Sequence, residues 1–370
     1  MASSNLKHSK GLVFLRILAS FIPLILTIFL LVWGMFFIRA AQTSKTPPPQ
    51  SITVAIALIW GVGGIVLLFF TGDIVIEQLP AKWAQYLEPA LFIGPALLML
   101  TWALIVPTIR TLIASFYDQI SKNFVGWQNY IYVFTNPNMR GVFRNNLLWL
   151  VFGTAFTVIA GLLIAVLADR SKFENAAKSM IFLPMAISFV GAGVIWNFVY
   201  AVRPVDAPQI GLLNAIFVGF FHGQPTAWTA FYEPWNNFYL IVVEIWLQTG
   251  FAMVLFSAAI KGIPAEILEA ARVDGANEIQ IFFRIMLPSI AGTIITVSTT
   301  IVIFTLKIFD VVWVMTGGQF GTSVIGTEFY RQYFTYNQNG VGSAIAVVLF
   351  ITVIPVMVYN LRQFARREAL

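Results

Sequence analysis

The chain has 370 residues, of which 59% are hydrophobic, 15% aromatic and only 10% charged, with a formal net charge of +6. Soluble domains carry about 25% charged residues, so this deficit indicates an all-α polytopic membrane protein rather than a large soluble core. Cysteine is absent, which excludes disulfides and thiolate metal sites; the basic excess belongs to cytoplasmic loops, not to nucleic-acid binding.

Apolar stretches of about 18 residues or more read as membrane helices. Eight are predicted, near 12–38, 52–70, 91–112, 147–167, 180–200, 238–260, 290–312 and 341–359. Lys7 and Lys10 precede the first. Its apolar core exceeds the roughly 7–15 residues of a signal-peptide core, so it reads as a span. An even count puts both termini on one side. The clusters Arg170, Lys172, Lys178 and Arg362, Arg366, Arg367 place that side in the cytoplasm by the positive-inside rule. The first hairpin follows the rule least well, with Arg39 and Lys45 outside and only Lys82 inside.

Two long loops then lie outside. The first, 116–144, carries Phe124, Trp127, Tyr130, Tyr132 and Phe134, which suits anchoring at the headgroups. The second, 202–237, contains "QIGLLNAIFVGFF", a candidate interfacial helix, and then Trp228, Phe231, Tyr232 and Trp235. Either loop could also build an outside docking surface.

The two histidines, His8 and His222, have no partner at metal-ligand or triad spacing, and no phosphate-cradling G-x-x-x-x-G-K-[ST] run occurs. The sequence does not read as an enzyme.

One polar island interrupts the apolar chain, "EAARVDGANEIQIFFRIMLP" from Glu269 to Pro288. Pro264 suits the first position of a helix, residues 265–274 are mostly helix formers, and Gly275 can take the left-handed conformation that ends them. Asn277 followed by Gln280 makes a capping box for a second helix, and Pro288 closes it at the next span. The island therefore reads as helix, turn, helix. Ala270 and Ala271 would let another backbone approach closely, and Glu269 could meet an arginine in a charge-assisted bond. The alternative is an amphipathic helix on the inner leaflet, although acids facing anionic lipid count against it.

Glu244, Gln248 and Phe251 share one face of the sixth span by their i, i+4, i+7 spacing. A carboxylate at mid-span costs about 2.5–3.5 kcal/mol on insertion scales, so it normally faces a cavity or a partner. Acid and amide beside an aromatic ring suit a sugar pathway; an interhelical hydrogen bond is the plainer reading. A rival function is an ion-gradient-driven secondary transporter or channel with Glu244 as the proton site. Such a carrier would need neither ATP nor a receptor. Lys307 and Asp310, three apart near the outer end of the seventh span, read as a pair or as snorkelling side chains, and Asn197 and Tyr200 as weaker pathway candidates.

The island resembles the EAA loop of ABC-importer permeases: Glu269, Ala270, Ala271, Gly275, Ile285, Leu287 and Pro288 match its residues and spacing throughout. "FVGWQNYIYVF", "NNLLWLV", "IFLPMAISFVGAGVIW", "LKIFDVVWVMTGG" and "AIAVVLFITVIPVMVYN" resemble the carbohydrate-uptake branch, the relatives of maltose and glycerol-phosphate permeases. "RPVDAPQIGLLNAI" and Gln319-Phe320-Gly321 are most similar to α-glucoside permeases; many relatives have Gly-Pro after Gly-Gly, where this chain has Gln319-Phe320.

The resemblance implies a type I ABC importer permease fold of about eight spans with a cytoplasmic coupling loop at 262–288. It divides the chain into an N-terminal extension of two spans, 1–85, and a six-span transmembrane domain, 86–370. It implies a subunit of the bacterial inner membrane with both termini cytoplasmic. Its partners would be a homologous second permease, two ATPase subunits that bind ATP and Mg, an extracytoplasmic solute-binding protein, and an α-glucoside-like sugar or glucosyl solute. The chain itself would hold no cofactor or metal. ATPase contacts would be Glu269, Ala270, Ala271, Asp274 and Gly275. Sugar contacts carried over at fixed offset from Glu269 fall on Glu244, Leu247, Gln248 and Phe251, then on Ile301, Phe304, Thr305 and Ile308. Of these, Leu247, Ile301 and Ile308 could only shape a cavity.

Overall fold

The computed structural model describes the backbone of residues 2–44, 48–169 and 171–368, and the side chains of 15–44, 48–169 and 171–362. The side chains of Lys7, His8, Lys10, Lys45, Arg170, Arg366 and Arg367 lie outside the described residues. No strand occurs among the described residues; a single bridge joins Tyr117 to Phe124.

Six helices are long and apolar enough to cross a bilayer. They are α1 (Ala2–Gln42), α2 (Gln50–Glu77), α3 (Ala81–Ala114), α5 (Pro137–Asp169), α9 (Trp235–Lys261) and α15 (Asn339–Glu368), with the short α4 (Gln128–Thr135) preceding α5. Two bent pairs add a crossing each if each is one span. These are α6 (Glu174–Ala186) with α7 (Phe189–Val199), bent by 104°, and α11 (Glu278–Ser289) with α12 (Ala291–Leu306), bent by 70°. Between them lie α8 (Leu212–Phe221) and α10 (Ala265–Val273), and before α15 come α13 (Asp310–Thr316) and α14 (Ile325–Tyr330). The eight expected spans correspond to six continuous helices and, where each bent pair counts as one span, two broken ones.

Both breaks have local causes. Pro184 is the second residue of a 3-10 turn over Leu183–Ala186, and Ser188 then caps α7 by accepting a hydrogen bond from the Gly191 N–H at 3.0 Å. Pro288 lacks the N–H that would bond the preceding turn, and the helix widens into a π turn at Phe282–Met286 before bending at Ile290. The span expected over 290–312 instead stops at Leu306, and Asp310 opens α13. Lys307 and Asp310 form no ion pair among the described residues; Lys307 is exposed.

Contacts divide the chain into Met1–Thr108 and Ile109–Leu370, with the boundary inside α3. In the first unit α1 packs on α2, where the Thr71 hydroxyl donates to Thr27 at 3.4 Å and the rings of Trp33 and Trp60 lie 6.3 Å apart. Small polar side chains at such a contact are usual between helices in lipid. In the second unit α9 is the axial helix. Its Asn236, Val243, Leu247, Met253 and Phe256 are buried along its whole length. Gly161 of α5 meets it so closely that a Cβ there would come within 2.5 Å of the Ala252 Cβ. Outward positions such as Leu167 and Phe198 stay exposed and apolar, as surfaces facing hydrocarbon must.

The loop expected at 116–144 is half helix. Asn136 caps α5 by accepting from the Asn138 N–H, so α5 starts at Pro137, earlier than its apolar run. The second loop folds around Asn214, whose amide donates to the carbonyls of Ala201 and Thr226, both at 3.0 Å, and accepts from the Thr226 N–H.

Candidate functional site

The polar island folds as its caps require. Pro264 sits one position earlier than expected, as the N-cap of α10 rather than its first residue. Glu266 in the first turn and Arg272 in the last complement the helix dipole. Gly275 then adopts φ +84°, a conformation that costs other residues about 1–2 kcal/mol. The full capping box forms: the Gln280 N–H donates to Asn277 Oδ1 at 2.8 Å and the Asn277 N–H to Gln280 Oε1 at 2.9 Å. Across the turn Arg272 Nε donates to Glu278 Oε1 at 3.1 Å. Gly275→Val should loosen this corner, read as faster amide exchange over Ala265–Val273 with α9 unchanged. Equal exchange in both proteins would remove the glycine from the explanation.

The two faces of α10 differ. Leu268 and Ala271 pack inward on a core that includes Phe256, Ile281 and Met286. Glu266, Glu269, Ala270 and Asp274 are exposed. Val273, which the motif did not single out, is 87% exposed, and Ile279 and Phe283 are exposed beyond the turn. Ala271 is half-buried against the body, so close approach by another backbone falls to Ala270. Glu269 makes no ion pair or hydrogen bond among the described residues. The result is an acid and a small residue bordered by exposed apolar groups, held on a rigid corner.

The pathway candidates lie where α5, α9 and α12 meet. Glu244 is 1% exposed, and Thr305 Oγ1 donates to its Oε1 at 2.6 Å. Its Oε2 has no hydrogen-bond partner among the described residues and lies beside Gly153, in the π turn Trp149–Gly153 of α5. Such turns recur at functional positions. Gln248 is buried with no hydrogen-bond partner among the described residues, Phe251 is half-buried, and Phe304 is 45% exposed. Leu247 and Ile308 pack in one apolar cluster and Ile301 in another. The structure thus joins Glu244 to Thr305 directly, and gives Leu247, Ile301 and Ile308 a packing role. Tyr200 is buried, its hydroxyl donating to the Tyr239 carbonyl at 2.9 Å, while Asn197 reaches the Val314 carbonyl at 3.4 Å.

Sequence reasoning missed an ionic network at the root of α10. Lys178 of α6 contacts Asp169 and Ser257 and lies 2.6 Å from Glu174, which also meets Lys261. Ser257 Oγ donates to Asp169 Oδ1 at 2.7 Å. The Glu174–Lys178 spacing was the only available signal. The other partners come from α5 and α9.

Fold and surface together define a multi-pass helical membrane protein that presents a short acid-bearing helix outside its own core. A family model described as the binding-protein-dependent transport system inner membrane component matches residues 133–367. The chain belongs to that family of transport permeases. It is 54% identical over 282 residues to the osmoprotective compounds uptake permease protein GgtC of Synechocystis sp., covering 76% of this chain and 100% of that protein. It is 44% identical over 333 residues to the alpha-glucoside transport system permease protein AglF of Rhizobium meliloti, covering 86% and 98%. The motif resemblance to the α-glucoside branch agrees with this similarity. A solved bacterial ABC transporter involved in the import of the acidic polysaccharide alginate shares the fold, with TM-score 0.65 at 20% identity over 79% of this chain and 99% of that one.

Proposed function

We propose that the chain forms half of the translocation pathway of a bacterial ABC importer for an α-glucoside-like oligosaccharide or glucosyl solute. In this reading a homologous permease completes the pathway and a soluble receptor delivers the solute from outside. Two ATPase subunits, which carry the ATP and Mg, drive the cycle through α10. Both termini and α10 lie in the cytoplasm, residues 1–85 are an addition to the six-span domain 86–370, and the chain performs no chemistry of its own. The observation that carries the coupling claim is the outer face of α10, with Glu269 and Ala270 exposed and unpartnered on a corner fixed by Gly275 and the Asn277 cap. Similarity to permeases named for α-glucosides and for osmoprotective compounds supports the solute class.

Glu244, Gln248, Phe251, Phe304 and Thr305 supply the polar and aromatic groups of the pathway, and Leu247, Ile301 and Ile308 shape its wall from behind. The test is ATP hydrolysis and uptake by the assembled transporter with its receptor, using sucrose, trehalose and maltose. Receptor-dependent stimulation by one of them is expected. Uptake driven by a proton gradient without ATP would overturn the reading in favour of a Glu244-based carrier. In the same assay Gln248→Ala should cut uptake about fivefold, the loss of roughly one hydrogen bond, with assembly intact. Unchanged uptake over a wide concentration range would reduce Gln248 to packing.

A further inference from the structure

The second unit contains a polar cavity of about 600 Å³ that belongs to neither the α10 corner nor the Glu244 junction. Its walls come from the first turns of α5, from Gly318 to Ser323, from α14 and the π turn that follows it, and from Glu233 just ahead of α9. Arg144 pairs with Glu233, so the cavity sits where α5 and α9 begin, whereas Ser257 bonds Asp169 near their other ends. The 27 residues of α9 span about 40 Å, so the cavity and α10 lie at opposite ends of the same helix. A solute arriving from the face away from the ATPase would meet this cavity before reaching Glu244.

Its chemistry is specific. Two arginines, Arg144 and Arg331, face two carboxylates, Glu233 and Glu328, so the charged lining is balanced and favours neither an anion nor a cation. One pair is committed to structure: Arg331 holds Glu328 at 3.1 Å and the Gly317 carbonyl at 2.7 Å. Asn145 likewise spends its amide on the carbonyls of Gly321 and Ser323, at 2.6 and 2.9 Å. These bonds make the far wall rigid. The near wall keeps spare capacity. Arg144 and Glu233 are about half exposed, the Asn138 side chain makes no hydrogen bond among the described residues, and Tyr336 is exposed at the rim. Guanidinium donors and carboxylate acceptors beside phenol rings fit a neutral molecule that offers many hydroxyls and apolar C–H faces. The volume lies within the range of small-molecule sites, about 300–1,000 Å³.

We propose that this cavity is a second, outer subsite that binds one end of a neutral polyhydroxylated solute before it passes to the Glu244 junction. The solute class rests on the sugar-import reading. A test is available because a Cβ added at Gly141, on the cavity wall, meets nothing within 4 Å. Gly141→Phe would fill the cavity from a helix position without a clash at the backbone, and Gly141→Ala would leave it open. Asn138→Trp fills it independently from an exposed position. The assembled transporter in nanodiscs, without receptor, is examined by saturation-transfer difference NMR with sucrose, trehalose and maltose.

Transfer to glucosyl protons is expected in the wild type and in Gly141→Ala. It should fall at least about fivefold in Gly141→Phe and Asn138→Trp, whose side chains occupy the ligand's volume. Equal transfer in the wild type and both filled variants would overturn the subsite, as would no transfer in the wild type or transfer to glycine betaine in place of the sugars. ATP-driven uptake of the same sugars is measured alongside. Its absence, with cavity-dependent transfer retained, would fail the import reading and leave the subsite standing. Uptake without cavity-dependent transfer would fail the subsite alone.

Discussion

Glu269→Lys is expected to leave the protein inserted and folded while stopping ATP-driven uptake. Glu269 is exposed and makes no ion pair or hydrogen bond among the described residues, so its replacement removes nothing that holds the chain together. Its loss would be felt by a partner. A hydrogen bond to a charged group contributes about 1.5–3 kcal/mol, and a lysine facing the same cation would add repulsion. ATPase association should weaken about 100-fold or more. Glu269→Gln keeps the shape and one acceptor, and should weaken association by about tenfold or less. Co-purification of the ATPase and uptake into vesicles read both effects. Normal uptake by Glu269→Lys, with the ATPase still bound, would sink the coupling claim. The flanking apolar groups give an internal comparison: Val273→Asp should weaken association without removing the acid, since Val273 is the most exposed large apolar side chain at that corner.

Lys178→Met should destabilise the body of the transporter and misplace the root of α10. Lys178 and Asp169 are only 17% and 12% exposed, and Lys178 is the cation that joins Asp169 and Glu174. Breaking a buried pair costs about 3–5 kcal/mol and an exposed one about 0–1. The partly shielded Lys178–Asp169 pair lies between, at about 2 kcal/mol. The larger share is Asp169, whose Oδ2 already lacks a partner among the described residues. Ser257 would then be its only remaining hydrogen-bond donor within the network. Because Ser257 and Lys261 occupy the last turns of α9, slackness there is transmitted to α10, which begins four residues after Lys261. Thermal unfolding of the purified complex and uptake should both fall. Asp169→Asn added to Lys178→Met should recover part of the loss, since the unpaired charge is gone. Additive losses in the double variant would show that the two side chains act separately.

The corner of α10 was legible in the sequence because its determinants are local. Gly275 permits the turn through its own backbone, and Asn277 and Gln280 bond across three residues. The Glu244 face was legible only in part. Helical spacing grouped Glu244 with Gln248 and Phe251, but not with Thr305, which lies 61 residues away on α12 and bonds its carboxylate. Nor does spacing tell which side of a helix meets a neighbour. Leu247, Ile301 and Ile308 share a face with pathway candidates and lie buried in apolar clusters. The bends at Ser188 and Ile290 carried local signals in Pro184 and Pro288, yet continuous hydropathy concealed them, because a bent span is as apolar as a straight one.

Composition, span number and the α10 corner follow from residue chemistry over short distances, so one sequence suffices to read them. The Asp169–Lys178–Ser257 network and the polar cavity do not. Arg144 and Glu233 are 89 residues apart, and Asn145 and Gly321 are 176 apart. Nothing along the chain pairs them. They meet because α5 packs lengthwise on α9, with Gly161 against Ala252 setting the approach and register of the two helices. That register is settled by side-chain packing across the whole interface, and it places one polar cluster at each end of the helix pair.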